Sequence, residues 1–468
     1  MTTPRFAASL LAASCVLAPA MAAAGANPAA EPTAVAKNIL FFLGDGMGPT
    51  TITAARLYKY KEEGFLHFEQ MERSARIKTY SADAQTTDSA PSMGAYMTGI
   101  KINNDVISMA DAKPSRPAKD ANGNTTIDTC APGNGRAAIT ILELAKAAGK
   151  SVGAVTTTEM THATPASTFA HSCERNAGYA IAQQIVPGGA GYNRALGDGV
   201  DVLMGGGRNH FTPFDAASNP KGRADGRDLM AEFAARGYTV AAGRSAMLAA
   251  PRGKKFVGIY SDSSHLDYVK QRRASQPSLP EMTAKAIELL ADNPKGFFLM
   301  VEGGKIDHAL HDSNAANALE ETIAFDDAIQ TALAAMHKRD PGLRNTLIVV
   351  TADHDHTIVM NGYSRRGNPI LDIVRNYSDG QPALDADGKT FTALAFGNGP
   401  NRKPLRETLD SATVMADDYH QETGVRLSGE THGGGDVKLF ATGAAAGPFK
   451  GTMENTRVFH LMKAAFGL

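Results

Sequence analysis

Thr346-Leu347-Ile348-Val349-Val350-Thr351-Ala352-Asp353-His354-Asp355-His356 is the stretch on which the reading of this chain turns. Its first five residues are rich in β-branched side chains, the pattern of a strand buried on both faces of an α/β sheet. The strand then runs into four consecutive Asp and His residues. Crowded carboxylates and imidazoles repel or desolvate one another unless a cation sits among them. Asp oxygen and His nitrogen are both good zinc ligands. A divalent metal at the strand end explains the cluster better than a polar loop that happens to be acidic and His-rich.

Working outward, strands and helices alternate. The apolar runs predict strands at 38–43, 151–156, 200–204, 297–301 and 437–441, and helical spacing predicts helices at 50–61, 138–148, 229–235, 282–291 and 315–337. Such alternation implies a parallel sheet covered on both faces. The expected fold is therefore α/β, a three-layer sandwich around a large, mostly parallel central sheet. Ligands in such sheets bind beyond the carboxyl ends of the strands. Residues 361–430 break the rhythm, being rich in Gly, Pro, Asn, Asp and Arg. They read as a loop-rich insertion over the active face of a single domain spanning 38–468.

Charge excludes some functions. With 47 basic against 48 acidic residues there is no nucleic-acid-binding signature and no solvating tail. Arg5 followed by an apolar run at 6–20 and the small-x-small site Ala20-Met21-Ala22 reads as a signal peptide over 1–22, with Ala24-Gly25-Ala26 moving cleavage up to 26. Export to the periplasm or beyond the cell follows. Cys15, after Leu11-Ala12-Ala13-Ser14, loosely suggests lipid anchoring, the minor option because the apolar run continues past it. No later stretch is long and apolar enough for a transmembrane helix. Cys130 and Cys173 remain after the leader. An oxidising compartment favours a disulfide between them over two buried thiols.

Other strand ends also carry ligand-type residues. Asp45 sits between Gly44 and Gly46, Glu302 follows its strand, Asp307 and His311 are spaced to share one helical face, and His162 and Thr164 follow the strand at 151–156. His432 lies in the glycine-rich loop Gly429–Gly435 just before a strand. Each alone is more often a turn or a surface group. Together at one sheet edge they argue for a metal centre. Ser89, in Thr87-Asp88-Ser89-Ala90, precedes a plausible helix. A lone serine there is ordinarily an N-cap, but beside a metal cluster its hydroxyl becomes a nucleophile candidate in a positive potential suited to phosphate.

Six motifs now carry a resemblance. NILFFLGDGMG at 38–48, TDSA at 87–90, ATPASTFAHSCER at 163–175, VEGGKIDHALH at 301–311, VTADHDH at 350–356 and ETHG at 430–433 resemble the alkaline phosphatase family, in the family's order. The resemblance implies a phosphomonoesterase with Ser89 as nucleophile, two zinc ions and a third ion. Asp307, His311 and His432 would hold the first zinc. Asp45, Asp353, His354 and Ser89 would hold the second. Asp45, Thr164 and Glu302 would hold magnesium. Arg175 would clamp phosphate, oriented by Asp88, and His356 would support a zinc ligand. His162 and His308 stand where Asp and Lys are frequent in bacterial members, an animal-like departure. His162 would then lie beside the third ion, leaving zinc or cobalt as alternatives to magnesium, and His308 would face phosphate or water. The insertion resembles the crown of the animal enzymes, which implies a homodimer.

Rival functions differ in specific residues. Phosphodiesterases of the same superfamily often use Thr as nucleophile and lack a counterpart of Arg175. A sulfatase needs an Arg that Ser89-Ala90-Pro91-Ser92-Met93 does not supply. A non-catalytic exported protein that binds zinc or phosphate would need no intact nucleophile, yet no ligand position is visibly lost.

Overall fold

Phe41 and Phe42 show why the molecule has three layers. Adjacent strand residues point to opposite faces. In the computed structural model, which describes residues 35–116, 130–262 and 264–468, Phe41 meets Tyr96 at a 5.6 Å centroid separation on one side. Phe42 meets Phe325 at 6.1 Å on the other. Both phenylalanines are fully buried, so each face of the strand must be covered by its own helical layer.

The strands of the main sheet are β1 (Asn38–Gly44), β2 (Arg73–Lys78), β3 (Ser151–Glu159), β4 (Val202–Gly206), β5 (Thr239–Ala241), β6 (Phe256–Ile259), β7 (Phe297–Gly303), β8 (Thr346–Ala352), β9 (Val437–Gly443) and β10 (Gly451–Glu454). They form a ten-stranded sheet in the order β10-β2-β9-β8-β1-β7-β3-β4-β6-β5. Only β9 runs antiparallel to its neighbours. One face is covered by α1 (Pro49–Tyr60), and later by α4 (Leu279–Leu290) and α6 (Ala315–Arg339). The other carries α2 (Ser89–Thr98), α3 (Ala163–Phe169) and α7 (Asn455–Phe466). Helix α5 (Lys305–His311) follows β7 directly.

The expected α/β sandwich is the fold found, with boundaries moved for local reasons. The helix expected from 138 starts at Ile141, because Thr140 and Glu143 form a capping box. The one expected from 282 starts at Leu279, because Ser278 and Glu281 do the same. Strand β2 went unpredicted: only Ala75 and Ile77 are buried along it, between charged neighbours. Residues 361–430 carry most of a second sheet, in which Ile358–Met360, Leu394–Gly399 and Thr423–Arg426 pair in the order given.

Cys130 and Cys173 are joined in a disulfide with Cα atoms 5.3 Å apart. Cys173 packs with Ile102, Val106, Met109 and Ala112 in a small satellite core. The bridge ties the chain that follows α2 to the segment that leads into Arg175. Among the described residues no helix is long and apolar enough to cross a membrane. The leader at 1–22, its alternative cleavage at 26 and Cys15 lie outside the described residues.

Register delivers the site. Gly44 lies level with Ala352 of β8 and Gly303 of β7. The next residues, Asp45 and Asp353, therefore leave the sheet side by side. Leu43 and Thr156 both pair with Glu302, so that carboxylate emerges at the same edge. Antiparallel β9 starts where β8 ends, which returns His432 to this edge.

Phe42→Ala should remove the contact between β1 and α6 and lower unfolding free energy by about 3–5 kcal/mol in denaturant titration. A loss below about 1 kcal/mol would contradict the central placement of this strand.

Candidate active site

Three histidines define the site by the direction of their lone pairs. His311 Nδ1 lies 2.6 Å from the Glu430 carbonyl, His432 Nδ1 2.8 Å from the Thr87 carbonyl and His354 Nδ1 3.2 Å from the Asp355 carbonyl. A carbonyl only accepts, so each Nδ1 carries the proton and, in the neutral ring, each Nε2 presents a lone pair. His311 Nε2 and His432 Nε2 face one another at 3.1 Å. Asp307 Oδ1 completes the triangle at 3.2 Å from His311 and 3.4 Å from His432. Donors around a tetrahedral ion with bonds of 2.0–2.1 Å stand about 3.3 Å apart. The spacing fits a shared metal cation or, in its place, a shared proton.

A second cluster lies beside it. His354 Nε2 is 3.3 Å from Asp45 Oδ1 and 3.5 Å from Asp353 Oδ2. Asp353 Oδ1 accepts the Gly46 N–H at 2.9 Å, while Oδ2 is buried without a hydrogen-bond partner. Gly46 has φ of +66°, and a Cβ there would strike the His356 ring; only glycine allows this approach. Ser89 Oγ completes the cluster, 3.3 Å from His354 Nε2 and 3.5 Å from Asp45 Oδ1.

Ser89 is the first residue of α2 rather than its N-cap. Asp88 occupies the cap without a capping bond from its side chain. That carboxylate instead pairs with the Arg175 guanidinium and accepts the Asp105 N–H at 3.2 Å. Ser92 donates to the Asp353 carbonyl at 2.7 Å and Tyr96 to the Ala352 carbonyl at 2.8 Å. These bonds pin α2 to the end of β8 and hold the Ser89 hydroxyl in the cluster.

A third group of donors, from Asp45, His162 and Glu302, converges on the far side of Asp45. Thr164 Oγ1 lies 3.5 Å from Asp45 Oδ2. Glu302 Oε2 is bonded by Thr156 and Thr158 hydroxyls, which leaves Oε1 buried without a partner, as is His162 Nδ1. Orphaned buried polar atoms of this kind call for a ligand. His162, expected beside a third ion, offers its Nδ1 to the same group as Asp45 and Glu302. His308 packs its ring on His265 at 4.2 Å and on His162 at 5.4 Å. Burial pushes it down to about 3, so it is neutral.

Charge among these groups is extreme. Burial, then Asp353, raises Asp45 well above the carboxylate range. Burial pushes Glu302 up to about 7, against hydrogen bonds from Thr156, Thr164 and Thr158. His356 bonds Asp307 Oδ1 at 2.8 Å and Glu430 Oε2 at 2.6 Å. Burial opposes its charge, but the two carboxylates push it up to about 10. It is a fixed internal cation that holds Asp307 in place, more than a free ligand.

Sequence reasoning missed five contributors. Glu430 is fully buried and binds His356, the Thr357 N–H at 2.7 Å and the Thr357 hydroxyl at 2.5 Å. Its place two residues before His432 was the available signal. Asp355 supplies the carbonyl for His354, and its side chain lies against Gly48 and Gly435. Thr156 and Thr158 select the free oxygen of Glu302. His265 accepts the Glu159 N–H at 3.1 Å and stacks edge-on against His308; no motif marked it.

Known proteins that resemble this chain in sequence and in fold share one description. The family model described as alkaline phosphatase matches residues 36–468. The tissue-nonspecific alkaline phosphatase of Gallus gallus is 35% identical over 464 residues, covering 92% of this chain and 84% of that protein. The solved alkaline phosphatase of Thermus thermophilus superposes with a TM-score of 0.69 at 26% identity, covering 93% of this chain and 92% of that one. A histidine-to-aspartate mutant of the TAB5 alkaline phosphatase, described with magnesium bound in its M3 site, gives a TM-score of 0.64 at 25% identity, with 93% and 99% covered.

The charge balance makes metal uptake pH-dependent. In metal-stripped protein Glu302 is largely protonated below about 7, and Asp307 raises His311 above its ordinary value although burial opposes this. Ligation requires both deprotonated. Zinc and magnesium uptake should therefore release more protons at pH 6 than at pH 8, measured by calorimetry in buffers of different ionisation enthalpy. Equal release at both pH values would contradict the assigned donors.

Proposed function

The chain belongs to the alkaline phosphatase family, and from that premise we propose how it hydrolyses phosphate monoesters to an alcohol and inorganic phosphate: through a covalent phosphoserine on Ser89. The observation that carries this reading is the pair of converging donor sets that share one edge of the sheet, with the Ser89 hydroxyl in one of them.

Asp307, His311 and His432 would hold one zinc; Asp45, Asp353, His354 and Ser89 would hold the other. Asp45, Thr164 and Glu302, with His162 beside or among them, would hold a third ion, magnesium. Bound there, these ions would neutralise a phosphate dianion and make hydroxyl and water oxygens acidic near neutral pH. Ser89 Oγ, at the positive end of α2, attacks phosphorus in line with the leaving oxygen. The P–O bond to the alcohol breaks, the alcohol departs, and phosphoserine remains. Water then attacks from the vacated side, and Ser89 leaves as phosphate is released. Two inversions give net retention at phosphorus. Arg175 presents a planar fork to two equatorial oxygens, and Asp88 holds that fork in place. His308, neutral and packed against His162, would position water or phosphate at the third-ion side.

We read residues 38–468 as one catalytic domain, with 361–430 as its crown-like cover. Exposed Tyr363, Leu384 and Leu405 on that cover support a homodimer. The leader supports export to the periplasm or medium, with anchoring through Cys15 the lesser alternative.

Ser89→Ala should lower turnover of a nitrophenyl phosphate by at least about a thousandfold and abolish acid-stable labelling by radioactive phosphate. Undiminished labelling would remove Ser89 from the mechanism. Arg175→Ala loses charge-assisted hydrogen bonds worth about 1.5–3 kcal/mol. Inhibition by inorganic phosphate should weaken by about 10- to 100-fold, and an unchanged inhibition constant would refute the clamp.

A further inference from the structure

Helix α5 carries Asp307 and His311 and stops at His311; α6 begins at Ala315. The connection between them is short, and Ser313 within it takes a φ of +55°, a backbone state that side-chain-bearing residues adopt sparingly. A strained link of this kind persists only when its surroundings over-determine it. Here the surroundings come from the insertion.

Asn314 Nδ2 donates to the Asp417 carbonyl at 2.9 Å. His420 Nδ1 donates to the Asp312 carbonyl at 2.5 Å. Gln421 does two things at once. Its N–H donates to the Ser313 carbonyl at 2.8 Å, and its Oε1 accepts the Ala315 N–H at 2.7 Å. That N–H belongs to the first turn of α6, where no intrahelical acceptor exists. Gln421 is 1% exposed, so no water replaces a bond it loses. Nine residues further on, Glu430 accepts from His311 Nδ1 and donates its N–H to the His311 carbonyl at 3.0 Å. The packing is equally close: a Cβ at Gly399, in the insertion sheet, would meet Ser313 Oγ at 2.8 Å.

We infer that Gln421 is a positioning residue for the first zinc site: its backbone and side-chain amide clasp the α5–α6 link and fix where His311 Nε2 points. The inference rests on the zinc assignment given above and deepens it. It also gives the insertion a role inside its own subunit. His311 sits at a helix end, where fraying is easiest, and a shift of a few tenths of an ångström there would open the donor triangle. The clasp removes that freedom.

The test is zinc release from the holoenzyme to a chromogenic chelator, followed with time. Gln421→Leu keeps the volume and removes the acceptor. It should accelerate release of one zinc by about tenfold or more and leave the other unchanged. Gln421→Glu retains an oxygen for the Ala315 N–H and adds charge favoured at a helix N-terminus; it should restore the slow phase to within about threefold. Equal release from Gln421→Leu and wild type overturns the inference. So does uniform acceleration of both ions in Gln421→Leu and Gln421→Glu alike, which would mark a merely structural change. His311→Ala separates the premise from the inference. If it holds as many zinc ions as wild type, the zinc assignment itself fails. Should Gln421→Leu not fold, Gln421→Asn, whose amide falls one methylene short of Ala315, serves for the same comparison.

Discussion

Everything at this sheet edge depends on one electrostatic constraint: electron-rich atoms converge where protein alone cannot balance them. Three imidazoles have their Nδ1 protons assigned by backbone carbonyls of Glu430, Thr87 and Asp355. Their Nε2 lone pairs are thereby committed toward Asp45 and Asp307. Protons can relieve the crowding in part, which is why Asp45 and Glu302 are driven upward by burial. A divalent ion relieves it more fully, because it satisfies several lone pairs at once. The fold tolerates the cost because the sheet beneath is fully packed: β1, β7 and β8 are buried along nearly their whole length.

Parallel register turns that constraint into a site. Neighbouring parallel strands end level with one another, so the second residue past the end of β1 and the first past the end of β8 become neighbours although 307 positions separate Gly46 from Asp353. Sequence-distant ligands meet because the sheet aligns them. The antiparallel β9 is the exception that brings His432 back. Ser89 and Arg175 then approach from the helical layer, α2 being pinned to β8 through Ser92 and Tyr96.

Residues that end strands were legible in the sequence, since an Asp or His after a β-branched run stands out against its surroundings. Asp45, Asp353 and His354 belong to this group. Asp307 and His311 were legible through helical spacing. Residues whose role is to hold a ligating side chain in place were not. Glu430, Thr156, Thr158, His265 and Gln421 hold other groups through contacts between parts of the chain that are distant in sequence. Such contacts leave no periodicity and no composition signal. Strand β2 escaped for a related reason, because only two of its residues are buried. The insertion was recognised by its lack of rhythm alone, which shows that a segment is irregular and nothing of what it grips.

The proposed mechanism requires two zinc ions at this edge, one in each of the two donor sets. Anomalous diffraction measured on both sides of the zinc edge, from crystals with bound phosphate, tests it most directly. The account predicts two zinc peaks about 4 Å apart, one among Asp307, His311 and His432, the other among Asp45, Asp353, His354 and Ser89. The third position, near Asp45 and Glu302, should show no zinc signal if it holds magnesium. A single zinc peak, or peaks outside these side chains, would contradict it.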